Sequence, residues 1–150
     1  MTLGLIVHSL AAILWVGGMF FAYVILRPSV QDWEALDRLN LWRGVFKRFF
    51  PWVWMSVIGL LLSGYAMIFF GFGGFSGVGL HVHFMHALGL IMIGFFCYLY
   101  YLPWPAFRRA VDAGDVVVAA ARLATIRQIV LTNLILGLAT VAIGSSGRYW

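Results

Sequence analysis

The 150-residue chain is 63% hydrophobic and only 10% charged, with a mean hydropathy of +0.97, whereas a soluble domain is about half apolar and a quarter charged. A soluble enzyme is thereby excluded. Lys and Arg outnumber Asp and Glu by 10 to 5, but the cations flank apolar runs instead of lining a polar face, so the excess reads as membrane orientation and not as nucleic-acid binding.

At about 20 residues per crossing there is room for four spans. Four stretches qualify: Leu3–Leu26, Phe50–Phe72, His81–Leu102 and Leu123–Gly144. The expected architecture is an all-α integral membrane protein, a four-transmembrane-helix bundle making one membrane domain over residues 1–150. The first stretch has no positive leader and is too long for a cleaved signal peptide, so it reads as a retained span. It ends at Arg27-Pro28, where proline removes a donor and restricts the residue before it. In the first connection Trp33, Leu36, Leu39, Trp42, Phe46 and Phe49 recur at helical spacing among Asp32, Glu34, Asp37, Arg43 and Lys47, which predicts an amphipathic helix lying in the interface. Gly71–Gly79 reads as a tight turn. The third span stops at Pro103-Trp104-Pro105. Beyond it Gly114 can end a helical turn and Asp115 can cap the next helix, so the last helix is expected to begin ahead of the membrane. The single Cys97 sits in an apolar run and has no partner for an intramolecular disulfide.

Orientation follows from the cations near the span ends. Arg27, Arg38, Arg43, Lys47 and Arg48 lie in the first connection, Arg108, Arg109, Arg122 and Arg127 in the third, and Arg148 alone falls on the other side. In a bacterial inner membrane this predicts cytoplasmic basic connections, with both termini and the Gly71–Gly79 loop periplasmic.

Small and polar residues mark contacting helix faces in lipid better than leucines do. The fourth span shows Asn133, Gly137, Thr140 and Gly144 as one stripe, and the first shows His8, Ala12, Trp15, Met19 and Ala22. The second offers Ser56, Gly59, Ser63 and Gly64, the third Gly89 and Gly94. Such stripes serve close backbone packing or leave room for a flat cofactor. Asn133 is deep enough to need an interhelical hydrogen bond. Arg127 can snorkel to lipid phosphate or contact a substrate or quinone.

All four histidines, His8, His81, His83 and His86, fall toward the same ends of their spans. His8 and His86 each lie about five residues into a helix, on the order of 8 Å below the boundary. Two imidazoles at matching depth on different helices suit bis-histidine haem ligation in a bundle. His83 and His86 are neighbours at i and i+3, whereas His81 points away from His83. His83 is an alternative ligand or a partner orienting one, and His81 reads as an interfacial residue. Imidazole also suits copper, and Met19 or Met85 can add a soft thioether for Cu(I). Arg148 is the candidate partner for haem propionates. No nucleophile with companion base, phosphate loop or carboxylate pair is present, and no acidic residue lies inside a span. Chemistry therefore has to come from a bound metal or cofactor.

His8 with Trp15-Val16-Gly17-Gly18-Met19 and Leu26-Arg27-Pro28, then Phe50-Pro51-Trp52, Leu62-Ser63-Gly64-Tyr65 and Asn133-Leu134-Ile135-Leu136-Gly137, resemble the CopD-like family of small bacterial integral membrane proteins, across nearly the whole chain. The chain looks like the compact four-helix form, and the resemblance implies copper transport or resistance. His8 with Trp15 and Gly17-Gly18 is also similar to the HemJ family of haem-linked protoporphyrinogen oxidases, where a first-helix histidine is associated with haem; this carries over to His8 alone. His83 stands where that family usually has a lysine, and Asn133 lacks the acidic residue and proline that come after it there.

Three readings result. The first is an inner-membrane b-type haem protein for electron transfer, with iron held by His8 and His86, Trp15 beside the haem, and a redox partner or quinone. If an enzyme, it is a haem-dependent oxidoreductase. The second is a copper transport or delivery protein using His81, His83, Met19 and Met85 along with His8 and His86. The third is a cofactor-free assembly subunit. Lipid surrounds the protein in all three, and a homodimer is compatible with each.

Overall fold

The computed structural model describes residues 1–149 except for the side chain of Arg148. Each of the four apolar stretches is helical. The helices are α1 (Thr2–Ser29), α2 (Ala35–Gly71), α3 (Leu80–Tyr101), α4 (Pro103–Asp112) and α5 (Val116–Ser146). By length and hydropathy four helical stretches can cross a membrane, α3 and α4 counting together as one. The fold is an all-α four-helix membrane bundle. The alternation of direction brings the start of α1, the end of α2, the start of α3 and the end of α5 to one end, here the terminal end. The opposite basic end carries nine of the ten cations.

The amphipathic stretch after Trp33 is helical, but it does not lie as a separate interfacial helix. It runs through Pro51 into the second span as one helix, Ala35–Ala66, continued by a π turn over Met67–Gly71. The reason is phase. Leu39, Trp42, Phe46, Phe50, Val53 and Val57 are all buried, and their steps of three and four continue across the proline without a break. That stripe outweighs the one backbone donor the proline removes. At 1.5 Å per residue the 37 residues of α2 reach about 55 Å, well beyond the about 30 Å hydrocarbon layer.

The break between α3 and α4 falls at Leu102, where φ −115° and ψ −72° depart from the helix. Pro103 and Pro105 then occupy the first turn of α4, where helix amides are unpaired in any case. α4 ends as the sequence predicts: Gly114 adopts φ +70°, and the Asp115 amide donates to the Ala110 carbonyl at 3.0 Å. This is the glycine-terminated turn that reuses the last carbonyls of a helix. The Asp115 side chain accepts from the Val118 amide at 3.0 Å and caps α5.

α1 packs along α2, α3 and α4 pack along α5, and contact of α1 with α5 closes the bundle. Near the basic end the interior is a lattice of rings. Phe46 meets Trp42, Phe50, Trp104 and Phe107 with centroids 5.2 to 6.2 Å apart, and Phe50 continues it to Phe96 and Tyr100. Phe107 is completely buried. Edge-to-face geometry adds to the dispersion that replaces the hydrophobic effect as the packing force in lipid. Midway, the Asn133 amide nitrogen donates to the Met92 carbonyl at 3.1 Å, the interhelical bond its depth requires.

The glycine stripes are mostly seats for neighbouring side chains. A Cβ on Gly137 would meet Val16 at 2.8 Å and Met92 at 3.2 Å, one on Gly144 would meet Met85 at 2.7 Å, and one on Gly64 would meet His8 at 3.2 Å. Gly89 and Gly94 differ, because a Cβ on either would meet nothing within 4 Å, and of the two only Gly89 lines the cavity toward the terminal end.

Candidate functional site

Toward the terminal end the packing opens. A cavity of about 260 Å³ lies between the helices, with walls contributed by α1, α2, α3 and α5. The volume lies just below the roughly 300–1,000 Å³ typical of small-molecule pockets. Its walls are apolar apart from a few groups: His8 and Trp15 from α1, Tyr65 from α2, His86 from α3 and Thr140 from α5. Three thioethers also line it, Met67 on α2 with Met85 and Met92 on α3. The α3 contributors Met85, Gly89 and Met92 recur at steps of four and three, with His86 next to Met85, so the helix turns one stripe inward. Gly89 supplies the open part of that wall.

The hydrogen-bond pattern around His8 fixes its chemistry. Ser63 donates its single hydroxyl proton to the Gly59 carbonyl at 2.5 Å. Its oxygen lies 3.0 Å from His8 Nδ1 and can only accept there. Nδ1 therefore carries the hydrogen, and the Leu60 carbonyl also lies beside the ring. Nε2 keeps its lone pair in a neutral imidazole, the arrangement that outer-shell partners impose on metal-binding histidines. The Thr140 hydroxyl is spent on the Leu136 carbonyl at 2.8 Å and offers the cavity no donor.

His86 is held by rings. Tyr65 stands edge-on at 5.4 Å and Phe75 at 5.3 Å. Phe75, from the short turn Phe75–Gly77, also stacks on His83 at 6.0 Å and 28°. His83 is exposed and does not line the cavity. His81 packs instead toward Gly79 and Gly147. Met19 is buried in the core beside the ring lattice, away from the cavity. Trp15 forms part of the cavity wall and is buried against Phe96, edge-on at 6.1 Å. The side chain of Arg148 lies outside the described residues.

Of the residues that sequence pattern singled out, the structure thus brings His8, His86, Trp15 and Met85 to one cavity and leaves His81, His83 and Met19 off it. Met67 and Met92 are the lining thioethers that sequence reasoning missed. Met92 was findable, lying seven residues after Met85 on the same helical face, whereas Met67 gave no signal beyond its depth near the end of the second span. Among the described residues no three His, Cys, Asp or Glu side chains form a group able to hold a metal ion. A bare metal ion taking more than two side-chain ligands from this cavity would draw on the thioethers beside the two imidazoles. Imidazole and thioether together make a donor set that suits Cu(I) and disfavours hard cations.

The fold and cavity define a four-helix membrane protein with a soft-donor chamber near one end. The model of the CopD family, copper resistance protein D, matches residues 43–146, and the chain belongs to that family. The matched range includes Met67, Met85, His86 and Met92, while His8 and Trp15 precede it. Comparison with curated proteins and with solved structures gives no match.

Proposed function

We propose that the protein handles copper in the membrane, accepting Cu(I) as its cargo in the cavity at the terminal end. His8 through Nε2 and His86 would supply the imidazoles, and Met85 with Met67 or Met92 the thioethers. The observation that carries this reading is that two histidines and three methionines line one apolar chamber, in a chain of the copper-resistance family. An apolar wall favours a soft, weakly hydrated monovalent ion over a divalent one, because desolvation costs less for the lower charge. The cation asymmetry supports an orientation with the chamber on the periplasmic side of a bacterial inner membrane and the basic end in the cytoplasm.

The test is Cu(I) titration of the detergent-purified protein under anaerobic conditions against a chromophoric Cu(I) chelator. One equivalent is expected to bind. His8→Ala and His86→Ala are each expected to weaken it by at least about tenfold, equivalent to about 1.4 kcal/mol, and Met85→Leu by less. Absence of chelator-resistant copper in the folded protein would overturn the reading.

A second reading, b-type haem held by His8 and His86 for electron transfer, is favoured by one specific observation: a neutral His8 with a free Nε2 shares an apolar cavity with His86 on a different helix. Those two imidazoles would hold the haem, which would supply one-electron chemistry. Oxidised and dithionite-reduced spectra of protein from haem-replete cells decide it. A low-spin spectrum lost in both histidine variants supports haem, and a featureless visible region rejects it.

A further inference from the structure

A second cleft lies near the basic end, far from the copper chamber, between α1, α2 and α5. Arg27 and Arg127 stand at it, with Tyr23, Trp42, Phe46 and Val130 forming its apolar floor. Arg27 is fixed in place. Its guanidinium sits over the Tyr23 ring at 5.0 Å, and its amide bonds back to the Ala22 carbonyl across the π turn Phe21–Leu26. The extra residue of a π turn rotates the succeeding residues by about 100° about the helix axis. Arg27 is the first residue after that turn.

The two guanidinia are like charges that feel one another, and Arg38 adds a third positive field at Arg127. Part of Arg38 is engaged, donating to the Gln31 carbonyl at 2.8 Å and the Trp33 carbonyl at 3.2 Å. No carboxylate answers them: the ion pair found among the described residues joins Arg43 to Asp112. Arg127 is also half-buried, about 17 Å along α5 from Val116. Arg27 is exposed and Arg127 half-buried, so two guanidinia with no carboxylate between them stand over an apolar floor at the membrane boundary, the level at which lipid phosphates lie.

We propose that this cleft binds the phosphodiester of an anionic phospholipid, forked between Arg27 and Arg127, with an acyl chain running down the Tyr23 and Val130 wall. The enclosed space is only about 10 Å³, so the phosphate lies across the mouth of the cleft and not inside it. Arginine suits this role because its planar fork pairs two phosphate oxygens at once. The apolar floor separates a lipid from free phosphate, which has nothing to place there.

The experiment is native mass spectrometry of the full-length protein released from vesicles of equal dioleoylphosphatidylglycerol and dioleoylphosphatidylcholine. The expected result is selective retention of one phosphatidylglycerol. At about fivefold per guanidinium, the Arg27→Gln/Arg127→Gln protein loses most of it, while Arg122→Gln, an exposed cation on the same side, leaves it unchanged. Arg27→Lys/Arg127→Lys keeps the charge and loses the fork, and is expected to fall between, which maintains the test if the glutamine variant does not fold. Retention equal to wild type in the lysine and glutamine variants would overturn the proposal. So would removal of the lipid by millimolar inorganic phosphate, which would assign the cleft to a free anion.

Discussion

The two ends of the bundle are built on different terms. At the basic end, Phe46, Phe50, Trp104 and Phe107 fill the interior ring against ring, and Phe107 is inaccessible. At the terminal end the same four spans enclose a chamber of about 260 Å³ lined by imidazole and thioether. In lipid, helix association depends on packing and interhelical bonds more than on burial from water. A membrane protein that leaves space at one end therefore needs dense packing at the other. The basic half is thus the densely packed one and the terminal half the open one, which is where the proposed ligand would sit.

The largest expected effect breaks the lattice. Phe46→Ala removes a ring with four ring neighbours and is expected to destabilise by about 3–5 kcal/mol. Thermal unfolding in detergent, monitored by circular dichroism, measures it. Filling the chamber should do the opposite. Gly89 has no neighbour where its Cβ would be, so Gly89→Leu is expected to preserve or raise stability by up to about 1 kcal/mol from helix propensity. Cu(I) binding is expected to fall by at least about tenfold, or about 1.4 kcal/mol. A Gly89→Leu protein that melts early would show that the terminal half is packed as tightly as the basic half, and the contrast would be lost.

The membrane architecture was legible because composition and span length report it directly, and the Gly114 and Asp115 junction because turn and cap chemistry is local. The fate of the first connection was not. In sequence the second span starts at Phe50, and only the stripe from Leu39 to Val57 taken as one unit reveals a continuous helix. Depth matching placed His8 and His86 at one cavity, since both face inward near the same end. It said nothing of Met67, whose position depends on how α2 lies beside α1, nor of Met19, which the same lateral packing sends into the core. His83 illustrates the rest: one helical turn from His86 in sequence, it stacks on Phe75 and stays out of the cavity lining.

A finer test of the chamber concerns Ser63. Its proton goes to the Gly59 carbonyl, which obliges His8 to donate from Nδ1. Ser63→Ala removes that acceptor without touching the ligand, and loss of such an outer-shell partner weakens metal binding by about 10- to 100-fold. We expect the lower end, because the Leu60 carbonyl also lies beside the His8 imidazole. The chelator competition reads the affinity, and nitrogen-15 shifts of the imidazole read the tautomer. A Ser63→Ala protein with unchanged affinity and unchanged tautomer would mean that Leu60 alone orients the ring.

The smallest expected effect is at the basic end's ion pair. Arg43 and Asp112 meet at 2.6 Å and tie α2 to α4, directly beside the ring lattice in sequence. Their side chains are 42% and 50% exposed, so water and salt screen the attraction, and exposed pairs contribute only about 0–1 kcal/mol. Arg43→Ala should therefore shift unfolding far less than Phe46→Ala, three residues further along the same helix, and the shift should shrink as salt rises. A loss comparable to that of Phe46→Ala would mean that charge, and not ring packing, holds α4 against the bundle.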